Sequence, residues 1–373
     1  MKQKICHSME SSEEKAVADI CSKLGSAHFD VILFYSSIKY DFDLLTQLFN
    51  EKFSGAQIMG STSCGEISPD GYTTDGIVVA AISCPGDRVK GMIFDDAAGA
   101  LYVHKKEIEE CASSCNIRKN AQDAFALTFI TGLYNAEENV LAVLHTVLGA
   151  DLPVVGGSAG DDLQFKETKI SYNGRVSKDG AAILLFHPTE RFLIYRENIF
   201  MPTGKRLNIT KADVINRKVI TIDNQNPLKQ LAHVIGMSES QVRQNVDDLK
   251  VGRTLGKEVF ISAIQQINSD GTINFFSRLM PKSQVEYLEP VDPVEVAKKT
   301  CKDVLEKIPN PGVIFMSNCI QRTLRFKSMK VDKEIISLYN TSFKKNFSGF
   351  TTYGEQINRI HSNSTLVILA VEE

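Results

Sequence analysis

Gly60-Ser61-Thr62-Ser63-Cys64-Gly65-Glu66-Ile67 is a phrase that this chain writes three times. Gly349-Phe350-Thr351-Thr352-Tyr353-Gly354-Glu355 repeats it near the C-terminal end, and Gly156-Gly157-Ser158-Ala159-Gly160-Asp161-Asp162 repeats it more loosely in the middle. The shared frame is glycine, any residue, hydroxyl, small residue, any residue, turn former, carboxylate. Each copy follows an apolar run of strand length, so each is a loop at the end of a strand.

The flanks repeat as well. Residues 30–36 form a continuous apolar run, followed by a helical pattern in which Leu44, Leu45, Leu48, Phe49 and Phe53 recur at spacings of three and four. Gly55 stops it, residues 56–59 form a short strand into the glycine stretch, and residues 76–83 form a strand after the Asp75-Gly76 turn. The second copy has a strand over 124–130, a helix over 137–148 with Val140, Leu141, Leu144 and Leu148 on one stripe, a stop at Gly149, a strand over 153–155, a hairpin at Asn173-Gly174 and a strand over 181–186. The third has a strand over 313–316, a helix marked by Ile335, Ile336, Tyr339, Phe343 and Phe347, and a closing strand over 366–371.

Between the second and third copies the pattern changes. Residues 192–200 alternate as one strand, Pro202-Thr203-Gly204-Lys205 reads as a turn, and Asn224 with Asn226-Pro227 marks a hairpin. Residues 228–246 read as one helix, Asp270-Gly271 joins strands over 259–267 and 272–279, and a proline-bracketed helix covers 294–308. A boundary near 190–200 divides the chain into units 1–195 and 196–373. The fold class is α/β: mixed β-sheets with flanking helices, built from repeated β-α-β-β units in two domains, two sheets face to face fitting better than a doubly wound one.

With 373 residues the chain is long enough for two cores, and 43% hydrophobic and 23% charged residues are ordinary for a globular protein. A net charge of -3 gives no electrostatic case for nucleic acid or an anionic membrane. No signal peptide or span-length apolar run is visible, and the eight cysteines lack the spacing of a disulfide framework, so the expectation is a cytoplasmic protein with reduced thiols. Cys111 and Cys115 lie one turn apart on a helix expected from Ala100, but nothing completes a zinc site with them, and no metal site is expected.

A strand ending in this phrase brings backbone amides, a hydroxyl and a carboxylate to a loop with little bulk, a polar rim for a small ligand. Amides and hydroxyls suit a carboxylate, and Glu66, Asp161, Asp162 and Glu355 suit an ammonium. Gly156 to Gly160 also spells Gly-x-Ser-x-Gly, the nucleophile elbow of serine hydrolases, but no apolar helix follows Ser158 and the equivalent positions are Thr62 and Thr351. Cys64 has Gly160 and Tyr353 as counterparts, so no shared nucleophile is implied. Phosphate-loop and dinucleotide signatures are absent from the sequence. Of the seven histidines, His187 and His361 are the two placed to reach a shared pocket.

Together, the stretches 60–67 and 154–162, the segment Cys319-Ile320-Gln321-Arg322, and the stretch 349–355 with Asn363-Ser364-Thr365 resemble the FIST N and FIST C pair, over about residues 28–371. The resemblance implies a sensory input module without catalysis. It would bind a small ligand, amino acids among them, and signal to a histidine kinase, a cyclic-dinucleotide enzyme or a chemotaxis receptor. One subset of the family, the NosP nitric-oxide sensors, binds haem and regulates a kinase, for which His361 and His187 are the axial candidates here. For an amino-acid-like ligand, Arg322 would clamp the carboxylate and Glu66 or Glu355 the ammonium, with Ser61, Thr62, Ser158, Asp161, Asp162, Thr351 and Tyr353 completing the site.

Overall fold

The computed structural model describes residues 1–84, 88–256 and 258–373. They form three units of one design, with a barrel inserted in the third. The first unit runs Lys2–Ser8 (β1), Glu13–Leu24 (α1), Val31–Ser36 (β2), Phe42–Lys52 (α2), Gln57–Thr62 (β3), the hairpin Glu66–Ser68 (β4) and Gly71–Thr73 (β5), and Ile77–Ser83 (β6). The second runs Val89–Phe94 (β7), Lys105–Ser114 (α3), Phe125–Ile130 (β8), Glu137–Leu148 (α4), Val154–Ser158 (β9), Ile170–Tyr172 (β10), Arg175–Ser177 (β11) and Ala181–Phe186 (β12).

The third unit opens with Phe192–Asn198 (β13) and is interrupted by the barrel elements Phe200–Asp213 (β14), Lys218–Ile222 (β15), Pro227–Ile235 (α5), Glu239–Gln244 (α6), Lys250–Leu255 (β16), Glu258–Ile267 (β17), Ile273–Phe275 (β18) and Ser283–Pro290 (β19). It resumes with Pro293–Lys307 (α7), Pro311–Cys319 (β20), Ile320–Met329 (α8), Asp332–Ser342 (α9), Ser348–Thr352 (β21), Glu355–Ile357 (β22), Ile360–Ser362 (β23) and Thr365–Glu372 (β24). No helix of the described residues is long and apolar enough to cross a membrane.

Each unit supplies four strands of its own sheet and gives its hairpin to a neighbour. The three sheets are ordered β1-β6-β2-β3-β10-β11, β7-β12-β8-β9-β22-β23 and β13-β24-β20-β21-β4-β5. The strand before each glycine loop lies parallel to the unit's central strand, and the borrowed hairpin then pairs antiparallel: Ser171 opposite Gly60, Gln356 opposite Gly156, Ile67 opposite Gly349. The exchange runs cyclically, first unit to third sheet, third to second, second to first.

Strand periodicity sets the layers. In β2, Leu33 and Tyr35 face the common centre while Ile32 and Phe34 face α1 and α2. The three inner faces meet in one core, where Tyr35 stacks on Phe350 at 4.9 Å, Phe129 meets Phe350 edge-on at 5.2 Å and Phe315 closes the group. The helices cover the outer faces, each unit with its own apolar layer, and α5 and α6 pack on the barrel.

The repeated first glycine has a steric reason. A Cβ at Gly349 would lie 1.8 Å from the Met316 carbonyl oxygen, and one at Gly156 would lie 2.1 Å from that of Thr128. In these two copies the neighbouring strand backbone occupies the space that a side chain needs; at Gly60 the Phe34 ring does, 2.1 Å away. Gly349→Ala is therefore expected to cost about 1–3 kcal/mol as the strands part, read as a lower denaturant midpoint at unchanged slope.

Several expectations need correction. There are three open sheets and a closed barrel rather than two facing sheets. Residues 228–246 form two helices, because Gly236 ends α5 in the left-handed region at φ 78° and Ser238 starts α6 with a capping box. The stretch 192–200 divides into β13 and the start of β14. Pro202 to Lys205 is an irregularity within β14, not a chain reversal: the register against β19 shifts between Pro202 and Arg206. Asn226 caps α5, with Pro227 in its first turn, instead of pointing a hairpin. Strands β1, β7, β16 and β19 and helices α1 and α8 were not anticipated.

Candidate functional site

The glycine loops converge at one end of the three sheets and bond to one another. Cys64 N–H donates to the Thr351 carbonyl and Thr351 N–H to that of Gly65; Tyr353 N–H donates to Ser158 and Ser158 N–H to Gly354; Gly160 N–H donates to Thr62 and Asp162 N–H to Ser63. The result is a closed ring of main-chain hydrogen bonds. It draws inward the amides that sequence reasoning assigned to a ligand.

Most of the side chains follow. Ser61 Oγ donates to the Thr62 carbonyl at 2.8 Å, and Thr62 Oγ1 receives the Lys169 amide at 3.0 Å. Thr351 Oγ1 lies 3.4 Å from the Thr323 hydroxyl. Asp161 accepts the amides of Phe165, Lys166 and Glu167 and the Tyr353 hydroxyl, fixing the loop that follows it. Asp162 holds Ser37 Oγ at 2.8 Å and Ile38 N–H at 3.0 Å, and burial raises its pKa.

Glu66 accepts from Ser63 Oγ at 2.8 Å, and burial pushes its carboxyl up to about 8. Glu355 accepts from Thr352 Oγ1 and Thr365 Oγ1, both at 2.7 Å, and burial pushes it up to about 7. Burial thus disfavours the charged form of both, and hydroxyls already hold Glu66 Oε1 and both oxygens of Glu355, against their assignment as ammonium partners. Arg322 is also corrected. It is fully buried, its Nη2 bonds Glu197, its Nε donates to Asn318 at 2.9 Å, and it lies inside the third unit rather than on a ligand.

Ser158 is no nucleophile elbow. Its hydroxyl is buried, donates to Glu137 Oε1 at 2.9 Å and receives Gln356 Nε2 at 3.0 Å, and an irregular stretch instead of a helix follows it. Burial raises the Cys64 thiol to about 11, which makes it a poor nucleophile. Glu137 belongs to the joint that ties the barrel to the three-sheet body. Arg217, in the turn between β14 and β15, reaches Glu137 at 2.6 Å and Glu138 at 2.5 Å; although burial acts the other way, Arg217 and His361 hold Glu137 down to about 2.

The two histidines do not share a pocket, and neither fits haem. His361 Nε2 lies 3.8 Å from Glu137 and Nδ1 3.4 Å from Gln356, and the cavity beside it holds about 70 Å³, well below the roughly 300 Å³ at which small-molecule sites begin. His187 follows the last residue of β12, which pairs with the first residue of β8, the end of that sheet away from the glycine loops. There its ring faces the Cys115 carbonyl at 3.0 Å and Asp123 at 3.5 Å.

A cleft of about 530 Å³ opens beside the loop ring, between α8, the residues after Asp162 and the barrel. Of the sequence candidates it takes Tyr353, whose ring stacks on Phe165 at 5.0 Å and 9°. Thr62 and Asp161 line a separate hollow of about 540 Å³. The cleft is otherwise built from residues that were not site candidates, among them the carboxylates Asp247 and Asp248 and, from the segments that carry the resemblance, Cys319, Gln321 and Asn363. One face of α8 lines it, Gln321, Leu324, Arg325 and Ser328, at the spacing i, i+3, i+4 and i+7, while Arg322 and Phe326 point inward.

The first turn of α8 faces the cleft; its N-cap, Cys319, brings no oxygen cap, and the buried thiol lies against the Gln321 and Ser364 amides at the positive end of the helix dipole. Asn363 lines the same space with 1% of its surface exposed, and neither its Oδ1 nor its Nδ2 has a hydrogen-bond partner among the described residues. Behind the wall, buried Lys250 donates to the Asp247 carbonyl and has no carboxylate within ion-pair distance among the described residues. Burial lowers its pKa to about 8. Arg325 adds a second cation, 3.4 Å from Asp248. The chemistry is that of a recess for a small molecule with an anionic group, a matching donor and acceptor, and an apolar body.

The FIST N domain family model matches residues 30–225 and the FIST C domain model residues 212–358. No curated protein matches the chain. Among solved structures, a cyanuric acid hydrolase from A. caulinodans aligns over 100% of this chain and 99% of its own at 7% identity, with a TM-score of 0.35, too low to bear on fold or chemistry here.

Proposed function

Since the chain belongs to the FIST family, whose domains are sensory small-ligand-binding modules of signal transduction, we propose that it senses an amino-acid-like ligand in the cleft beside α8. The bound state would pass to a separate output protein, a histidine kinase, a cyclic-dinucleotide enzyme or a chemotaxis receptor, in the cytoplasm.

The observation that carries this reading is Asn363. A buried amide with both polar atoms unpaired costs the fold free energy, and a ligand that pairs them recovers it. An α-amino acid presents a carboxylate and an ammonium on one carbon. The carboxylate would take Nδ2–H at the positive end of α8, and the ammonium would donate to Oδ1. Tyr353 and the loop held by Asp161 form the opposing wall.

Calorimetry with a panel of amino acids tests it. At least one should bind, and Asn363→Ala should weaken that binding roughly tenfold or more, with Asn363→Asp, which keeps the shape but replaces donors by a negative charge, weakening it further. A panel that shows no binding, or binding indifferent to both variants, rejects the reading. The bound amino acid should also raise the melting temperature, since a ligand at 100 times its Kd stabilises the native state by about 2.7 kcal/mol.

A further inference from the structure

Resting on that assignment of the cleft, we propose that the ligand is an α-amino acid with an aromatic or large aliphatic side chain, held carboxylate-first at the N-terminus of α8. Three observations converge on it. Leu163, Phe165, Leu324 and Met329 are large apolar side chains that the fold leaves between 39% and 56% exposed, and all four line this one cleft. Apolar surface gathered at the mouth of a polar recess marks a place that another molecule covers.

The face of α8 in the cleft is graded. Its first turn offers the positive helix end and Gln321, its second Leu324 beside Arg325, and its third Ser328 and Met329. A helical turn rises about 5.4 Å, so an anionic group at the first turn places a side chain of two to four heavy-atom bonds alongside Leu324. A small polar acid would satisfy the anchor and leave the apolar mouth in water.

The anchor has a definite sign. The positive end of α8, the Nδ2 donor of Asn363 and the cation of Lys250 behind the wall favour the carboxylate inward. The groups facing Lys250 are Asp247, Asp248, Arg325 and the Cys319 thiol, with Asp248 already beside Arg325. Asp247 and Asp248 also line the cleft, and neither carboxylate lies within ion-pair distance of Lys250 among the described residues.

The full-length protein would be titrated calorimetrically with phenylalanine, 3-phenylpropionate, 2-phenylethylamine, alanine and aspartate, and with leucine as a second apolar probe. Phenylalanine or leucine should bind at least tenfold more tightly than alanine or aspartate, because burying a large side chain is worth about that factor or more. Phenylpropionate should retain measurable binding and phenylethylamine should lose it. Leu324→Ser, at a position 48% exposed and so harmless to the core, should weaken phenylalanine roughly fivefold and leave alanine unchanged.

Alanine or aspartate binding as tightly as phenylalanine and leucine would overturn the apolar assignment while leaving the amino-acid reading in place. Phenylethylamine binding as tightly as phenylpropionate would overturn the carboxylate anchor. If no probe bound and no amino acid of the wider panel did either, the cleft's assignment itself would fall.

Discussion

Arg322→Ala is expected to destabilise the fold by about 3–5 kcal/mol, the cost of leaving one partner of a buried ion pair alone. The pair is deep: Arg322 and Glu197 side chains are 0% and 1% exposed, and Tyr339 donates to the second Glu197 oxygen at 3.4 Å. Burial opposes the guanidinium charge, and Glu197 more than offsets it, so Arg322 stays protonated. Removing it strands a carboxylate between β13 and α8. Replacing both partners by apolar residues, as in Arg322→Met with Glu197→Leu, should recover most of the loss, because the desolvation cost of both charges disappears together. Denaturant midpoints of the two single variants and the double variant decide this. The same proteins separate structure from recognition: a reduced midpoint with unchanged ligand affinity in the folded fraction is the expected pattern, and a loss of affinity at unchanged midpoint would return Arg322 to the ligand.

The second large effect is a dependence of stability on pH. Glu66 is pushed up to about 8 and Glu355 to about 7, in each case chiefly by burial. Both native values exceed the unfolded one of about 4.3. Between the unfolded and the native value the native state holds the proton that the unfolded chain has released, so stability falls as pH rises through that window and levels off above the native value. For Glu66 the shift amounts to roughly 3–5 kcal/mol at about 1.36 kcal/mol per unit, an order-of-magnitude figure. Wild type should therefore unfold at lower urea at pH 9 than at pH 5. Glu66→Gln, which keeps the shape and carries no charge, should be level with wild type near pH 5 and several kcal/mol more stable at pH 9, with a smaller gain for Glu355→Gln. Parallel pH profiles for wild type and Glu66→Gln would show that Glu66 is ionised in the fold.

The three repeats and the strand and helix order within them were legible because their signals are local. Glycine, hydroxyl and carboxylate recur in fixed order, and α4 falls on the residues its leucine and valine stripe marked. Helix α8 was not legible. Its N-cap is a cysteine, which carries none of the usual oxygen-capping signature, and Arg322, Arg325 and Lys327 dilute its apolar pattern. That omission decided the error at Arg322. Once residues 320–329 are placed on a helix, positions 321 and 322 face different directions, and the neighbour, Gln321, is the one in the cleft.

Other parts of the site are facts of three dimensions. The carboxylates of the glycine loops looked available because sequence cannot show that three loops close on one another's amides. The unpaired state of Asn363 follows from what surrounds it, and its presence beside Ser364 and Thr365 in the sequence gives no hint of that. The hairpin exchange is invisible for a related reason: β4, β10 and β22 are three residues long, and their partners lie in other units.

That exchange bears on how the protein comes into being. During synthesis the first unit's hairpin waits for β21, and β9 waits for β22, so both stay unpaired there until residues 348–357 have left the ribosome. Unpaired edges invite pairing with other chains. The cleft needs Tyr353 and Asn363 from the same late segment. A chain cut short before residue 348 would therefore be an adhesive intermediate without the cleft, and residues 348–363 pair both waiting strands and complete the cleft together.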